Sequence, residues 1–315
     1  MTGVTIEKRR RRRRSAERTP NLIDDASHGT GASRRGLLTG LLMITTPTMG
    51  TRAEGMTLAD APISMTGDWG GSLPQAALKV VERMRRASLA GVRLPSDQQP
   101  ARIAVANQTS GPPHIWRHFD DEPVAMIVVD IGTRDWCKLA YQFGHEFGHV
   151  LANSWRRDAR PMPGSQWLEE ALVEAFSLRG LGLLATQWQA DPPFPGDAAF
   201  SGAIRRYRDD QLAVYERYAM EQGIAENAHA WFLSQREALE HAVGLTALCE
   251  ALVPVIVTAF GSDPVRVSDL GMLNLWPERS ALALEPYLDQ WQQRCQAMGT
   301  PGWMPRRLRQ MLLGV

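Results

Sequence analysis

Cysteine is scarce in this chain: its 315 residues include three, Cys137, Cys249 and Cys295. Three thiols exclude a disulfide framework and leave open either one Cys249–Cys295 pair or free buried thiols. Internal repeats are missing, as is any low-complexity segment apart from an arginine run near the N-terminus. Net charge is also small, at +1, but that balance hides an asymmetry. Eleven basic and four acidic residues precede Glu54, which leaves 24 basic and 30 acidic residues and a net charge of −6 in the remainder. A mildly acidic body argues against general nucleic-acid binding, which leaves the run Arg9 to Arg14 as an alternative nucleic-acid patch or a disordered tail. With 44% hydrophobic and 22% charged residues, the composition is that of a globular protein able to bury a sizeable core.

The basic segment has the layout of an export signal. Arg9 to Arg14 form an unbroken run, and Ser33-Arg34-Arg35-Gly36-Leu37-Leu38 resembles the twin-arginine signal, an address read by a receptor. The uncharged stretch 36–51 follows, then small residues where cleavage would fall near Ala53. That stretch is shorter than the roughly 18–20 residues needed to span a bilayer, so it predicts no permanent anchor. No cysteine lies beside it to carry a lipid. The expectation is a periplasmic or extracellular protein that meets the membrane only during export. Its expected divisions are a signal over 1–53, a sheet and active-site helix over 54–155, and a helical region over 156–315.

Helical spacing of Ala77, Val80, Val81 and Met84 predicts a helix over 73–90, stopped by Gly91. Two strand-like runs follow, ARIAVAN at 101–107 and PVAMIVVDIG at 123–132. The second is β-branched and apolar enough for a strand covered on both faces. Between them, GPPHIWRHFDDE has the glycine, proline and charge content of a hairpin loop. Thr133 is a candidate N-cap for a helix running to about Trp155, and Ser165 for a helix beginning QWLEEALVEAFSL. Beyond Gly196 the periodicity is helical: about 197–222, 226–243, 245–260, 281–297 and 304–313. A small sheet followed by helices predicts the α+β class.

The stretch YQFGHEFGHVLANSW, 141–155, carries the chemistry. Residues four apart share a helix face, so His145 and His149 can turn two imidazoles to one ion. Glu146 lies about 100° round the helix, where it can reach a water at that ion without ligating it. Gly144 and Gly148 each cost a helix about 1 kcal/mol relative to alanine, and their place beside the histidines points to close packing there. A third ligand is available on the next helix. Glu170 lies 21 positions beyond His149, and Glu174, one turn further, can accept the free N–H of a ligating histidine.

HEFGH followed by WLEEALVE resembles the gluzincin group of metallopeptidases, which share H-E-x-x-H and a downstream glutamate ligand. Trp167-Leu168-Glu169-Glu170 resembles the W-L-N-E of the aminopeptidase branch, and Glu170 followed by Glu174 resembles thermolysin-like enzymes. The resemblance covers about 124–180. It implies a zincin-like fold, one zinc ion on His145, His149 and Glu170, Glu146 as general base and Glu174 as the orienting acid. It also implies that the strand at 124–131 is the edge on which an extended peptide substrate pairs. Glu169 stands where the aminopeptidase branch has asparagine, which leaves the ligand open between Glu169 and Glu170; the carboxylate four residues on favours Glu170. The G-x-M-x-N segment of that branch is missing. Tyr207, Tyr215, Tyr218, His229 and His241 are the candidates for a group that stabilises the transition state.

Other features carry less. His114 and His118 are four apart but lie in a proline-rich loop with no helical face, which argues against metal ligation. Cys137 is about 12 Å along the helix from His145, too far to share an ion. The expected function is therefore zinc-dependent peptide hydrolysis on a peptide or protein substrate. The competing expectation is a non-catalytic envelope protein of the same fold that binds a peptide or wall component.

Overall fold

The computed structural model describes residues 58–69, 71–94, 99–108, 111–116, 123–156 and 159–315. The arginine run, the twin-arginine segment, the expected cleavage position and His118 lie outside the described residues.

The protein is α+β. Strand β1 (Ile63–Gly67) leads to helix α1 (Pro74–Ser88), then β2 (Arg102–Asn107), β3 (His114–Trp116) and β4 (Val124–Val129). Helices α2 (Trp136–Leu151), α3 (Gln166–Ala190), α4 (Ser201–Glu221), α5 (Ala228–Glu240) and α6 (Ala247–Phe260) follow. The short α7 (Pro264–Ser268), then α8 (Leu284–Ala297) and α9 (Trp303–Leu308) complete the order. Among the described residues no helix is long and apolar enough to cross a membrane.

The four strands run in the order β1-β2-β4-β3. β1 pairs parallel with β2 and β2 with β4, while β3 pairs antiparallel with β4, Ile115 opposite Ile127. The expectation that 124–131 forms the edge is therefore corrected. β4 is interior, and β3, inside the segment expected to be a loop, is the edge strand beside it, with β1 at the opposite edge. The reason is topological. Parallel strands need a crossover of a dozen or more residues, so 108–123 cannot be a simple hairpin between β2 and β4. Part of that crossover turns back and pairs as β3. The interior position also explains why β4 is almost wholly apolar and buried.

α1 buries its predicted face, Ala77, Val80, Val81 and Met84, against the core. α3 is buried nearly all round from Gln166 to Leu178, which makes it the central helix of the fold. Two helix ends differ from expectation. α2 begins after Asp135 rather than being capped by Thr133, because Arg134 takes a left-handed turn at φ 57°. It stops at Leu151 because Asn153 turns left-handed at φ 64°, a conformation asparagine tolerates. Ser165 does precede α3, but its hydroxyl donates to the Leu282 carbonyl at 2.7 Å instead of capping the helix. All three cysteines are free thiols.

Candidate metal centre

Close approach of α2 and α3 builds the site. A Cβ added to Gly148 would lie 2.8 Å from Val173 Cβ, and one added to Gly144 would lie 2.7 Å from Ser177 Oγ. Both contacts are shorter than side chains tolerate, so the glycines let the two helices meet where the histidines sit.

On α2, His145 and His149 stand one turn apart with ring centroids 5.1 Å apart. Each ring is gripped through Nδ1 by a carboxylate of α3. His145 Nδ1–H donates to Glu174 Oε2 and His149 Nδ1–H to Glu169 Oε1, both at 2.7 Å. These bonds fix the tautomer and turn both Nε2 atoms toward a third carboxylate. Glu170 Oε2 lies 3.3 Å from His145 Nε2 and 3.5 Å from His149 Nε2. The other oxygen, Oε1, accepts from Gln166 Nε2 at 3.1 Å, which holds the carboxylate in place.

The two sets of distances differ in kind. At 2.7 Å the Nδ1 contacts are charge-assisted hydrogen bonds, whereas 3.3 and 3.5 Å are long for such a bond between the same group types. They match the edge of a coordination tetrahedron: metal–ligand bonds of about 2.0–2.1 Å at tetrahedral angles put neighbouring donors about 3.3–3.4 Å apart. His145, His149 and Glu170 form a group able to hold a metal ion, with donor atoms all within 4.8 Å of one another. Two imidazoles and one carboxylate, each braced from behind, suit a borderline metal such as zinc and leave a coordination position open.

The charges agree with this arrangement. Burial alone would lower the pKa of His145, but its bonds to Glu170 and Glu174 overcome that and carry it up to about 10. Burial is outweighed in the same way at His149 by Glu170 and Glu169, which raise it well above its ordinary value. Glu170 is held well below the usual carboxylate range by the two histidines, against the opposing effect of its own burial. Without a metal, therefore, the carboxylates hold protons on the imidazoles; a dication satisfies the same charge demand. Glu146 lies beside the group, 5% exposed, and burial raises its pKa despite the nearby histidines.

A cleft of about 550 Å³ opens over these groups, within the size range of ligand sites. Edge strand β3 forms part of one wall through His114 and Ile115. None of the five residues expected to stabilise a transition state lines it. Tyr207 packs its ring on Tyr141 at 5.7 Å, and Tyr215 is buried behind, its hydroxyl 3.0 Å from that of Tyr141. Tyr218 packs against the core, His229 bonds the Leu312 carbonyl and His241 bonds the Glu237 carbonyl of its own helix.

Several groups that do build the site went unread in the sequence. Asn274 donates to Glu169 Oε2 at 2.8 Å and to the Ala152 carbonyl at 3.1 Å. Ser154 Oγ donates to Glu169 Oε1 at 2.5 Å. Arg279 donates to the Asn153 carbonyl at 3.1 Å. Asn153, Asn274 and Arg279 all have left-handed backbones, a conformation that the two asparagines tolerate and that is strained at Arg279. The only clue in the sequence was asparagine's tolerance of that conformation. The chain matches no protein-family model and no curated protein. The chemistry of the site therefore rests on its own donor atoms.

Proposed function

We propose that the protein is an exported zinc metallopeptidase of gluzincin type. The observation that carries this reading is one carboxylate oxygen, Glu170 Oε2, set 3.3 and 3.5 Å from two imidazole Nε2 atoms, with the Glu146 carboxyl beside them in a cleft. Zinc bound there would supply Lewis-acid polarisation of a peptide carbonyl and lower the pKa of a water toward 7. Glu146 supports the role of general base. Its carboxylate takes a proton from the attacking water and hands it to the departing amine nitrogen, and its raised pKa brings it closer to neutral operating pH. Glu174 and Glu169 keep the two imidazoles in one tautomer and orientation throughout.

An extended peptide would lie along β3, which pairs only with β4 among the described residues and lines the cleft. Main-chain hydrogen bonds to an edge strand give affinity without demanding a particular sequence. The twin-arginine segment supports a periplasmic or extracellular location, and the acidic body supports a peptide rather than nucleic-acid substrate. The test measures zinc content and peptide hydrolysis in the wild type and in Glu146→Gln. Zinc retained with hydrolysis abolished supports the reading; a folded wild type that binds no zinc overturns it.

A further inference from the structure

Behind His145 a buried polar chain continues past Glu174 to groups that the proposed reaction does not use. Glu174 is fully buried on α3, and its Oε2 is taken by His145 Nδ1. Its Oε1 is buried and makes no formed hydrogen bond among the described residues. Tyr141, on α2 one turn before His145, lines the same cleft as Glu174, and Tyr215 of α4 meets Tyr141. Their hydroxyls are 3.0 Å apart. Burial first, and then the charge of Glu174, pushes both phenols far above their ordinary pKa, so both keep their protons and act as donors.

Counting donors shows what the pair can offer Glu174. The pair has two O–H groups; one is spent between the tyrosines, and the other is left for the carboxylate, which can only accept. Tyr141 is itself held in place, because its carbonyl accepts from Ser177 Oγ at 2.8 Å, next to the close approach at Gly144. Half-buried Glu250 on α6 adds a like charge that reaches both Glu174 and Tyr215, which increases the need for donors at Glu174.

We propose that Tyr141 and Tyr215 are positioning residues of the metal centre: their linked hydroxyls hold the buried Glu174 carboxylate, which fixes the His145 ring with Nε2 turned to the ion. The proposal rests on the metal-binding reading above. It ties α4, far along the chain, to the geometry of a ligand on α2.

Tyr141→Phe, Tyr215→Phe and the double variant test it, with Tyr207→Phe as a control that keeps the ring contact to Tyr141. The readouts are zinc dissociation constants by chelator competition, the visible spectrum of the cobalt(II)-substituted protein and the melting temperature of the metal-free protein. Groups that orient metal ligands typically contribute about 10–100-fold to affinity. Tyr141→Phe should bind zinc about tenfold more weakly with an altered cobalt spectrum, and Tyr215→Phe should lose less. The double variant should bind zinc no more tightly than either single variant, and Tyr207→Phe should match the wild type. A lowered melting temperature with unchanged zinc affinity and cobalt spectrum would mean a merely structural pair and overturn the proposal. Should Tyr141→Phe fail to fold, Tyr215→Phe decides by the same two outcomes. A wild type without zinc affinity overturns the underlying reading and the pair with it, whereas wild-type affinity with unaffected variants overturns the pair alone.

Discussion

Replacing Gly148 with alanine sets two effects of known sign against each other. Alanine favours a helix over glycine by about 1 kcal/mol. The added methyl, however, would lie 2.8 Å from Val173 Cβ, 3.1 Å from its Cγ1 and 3.2 Å from Phe176 Cδ1. Carbon atoms rest about 3.5–4.0 Å apart, so the closest overlap is about 0.7 Å. Val173 Cβ is fixed to its backbone and cannot rotate away, so α2 and α3 must separate. Overpacking of this kind costs about 1–3 kcal/mol, so after the helix gain the net loss is about 0–2 kcal/mol. At about 2–4 °C per kcal/mol for a body of this size, the melting temperature should fall by up to about 8 °C. The same separation moves His149 away from Glu170, whose donors are now 3.5 Å apart, so zinc should bind about tenfold more weakly. Gly202→Ala is the matched control: its methyl would meet only Arg206 Nη1, at 3.5 Å, and should leave stability equal or higher by up to about 1 kcal/mol. Calorimetric melting and chelator competition on the two variants check this. A Gly148→Ala protein as stable as the wild type, with the same zinc affinity, would refute the claim that the glycines set the helix spacing.

Glu174→Gln and Glu169→Gln should each fold and weaken zinc binding about 10–100-fold, measured by chelator competition, because each loosens one imidazole. Asn274→Ala removes the donor to Glu169 Oε2 and the Ala152 carbonyl and should destabilise the protein by about 1–3 kcal/mol in denaturant unfolding, with weaker zinc binding. The His145 pKa rises from 6.5 to about 10 on folding without metal, so its protonation stabilises the metal-free fold fully below pH 6.5, and that contribution fades as pH rises through about 10. Zinc displaces those protons, so affinity should fall as pH falls, and calorimetry in two buffers near pH 7 should show net proton release; binding without release would count against imidazole ligation.

What was legible in the sequence was local. His145, Glu146 and His149 lie within one helical turn of each other, and Glu170 and Glu174 within another, so the 3.6-residue period suffices to place each set on a face. The α+β class followed from the same periodicities. The edge strand was not legible, because β3 is three residues long and exists only through its pairing with β4. Glu169 was read as a rival of Glu170 for the ion, although neighbouring residues point about 100° apart on a helix and can serve different partners. In the structure one grips His149 and the other faces both Nε2 atoms. Asn274 reaches Glu169 from 105 positions away and Tyr215 reaches Tyr141 from 74, distances over which no local pattern carries information.

The most direct test of the central claim is to measure zinc per chain, together with peptide hydrolysis, in the wild type, Glu146→Gln and His149→Ala. One zinc in the wild type and in Glu146→Gln, strongly weakened zinc binding in His149→Ala, and hydrolysis confined to the wild type are the predicted result. A folded wild type without zinc, or a Glu146→Gln variant that cleaves peptides as fast as the wild type, would contradict it.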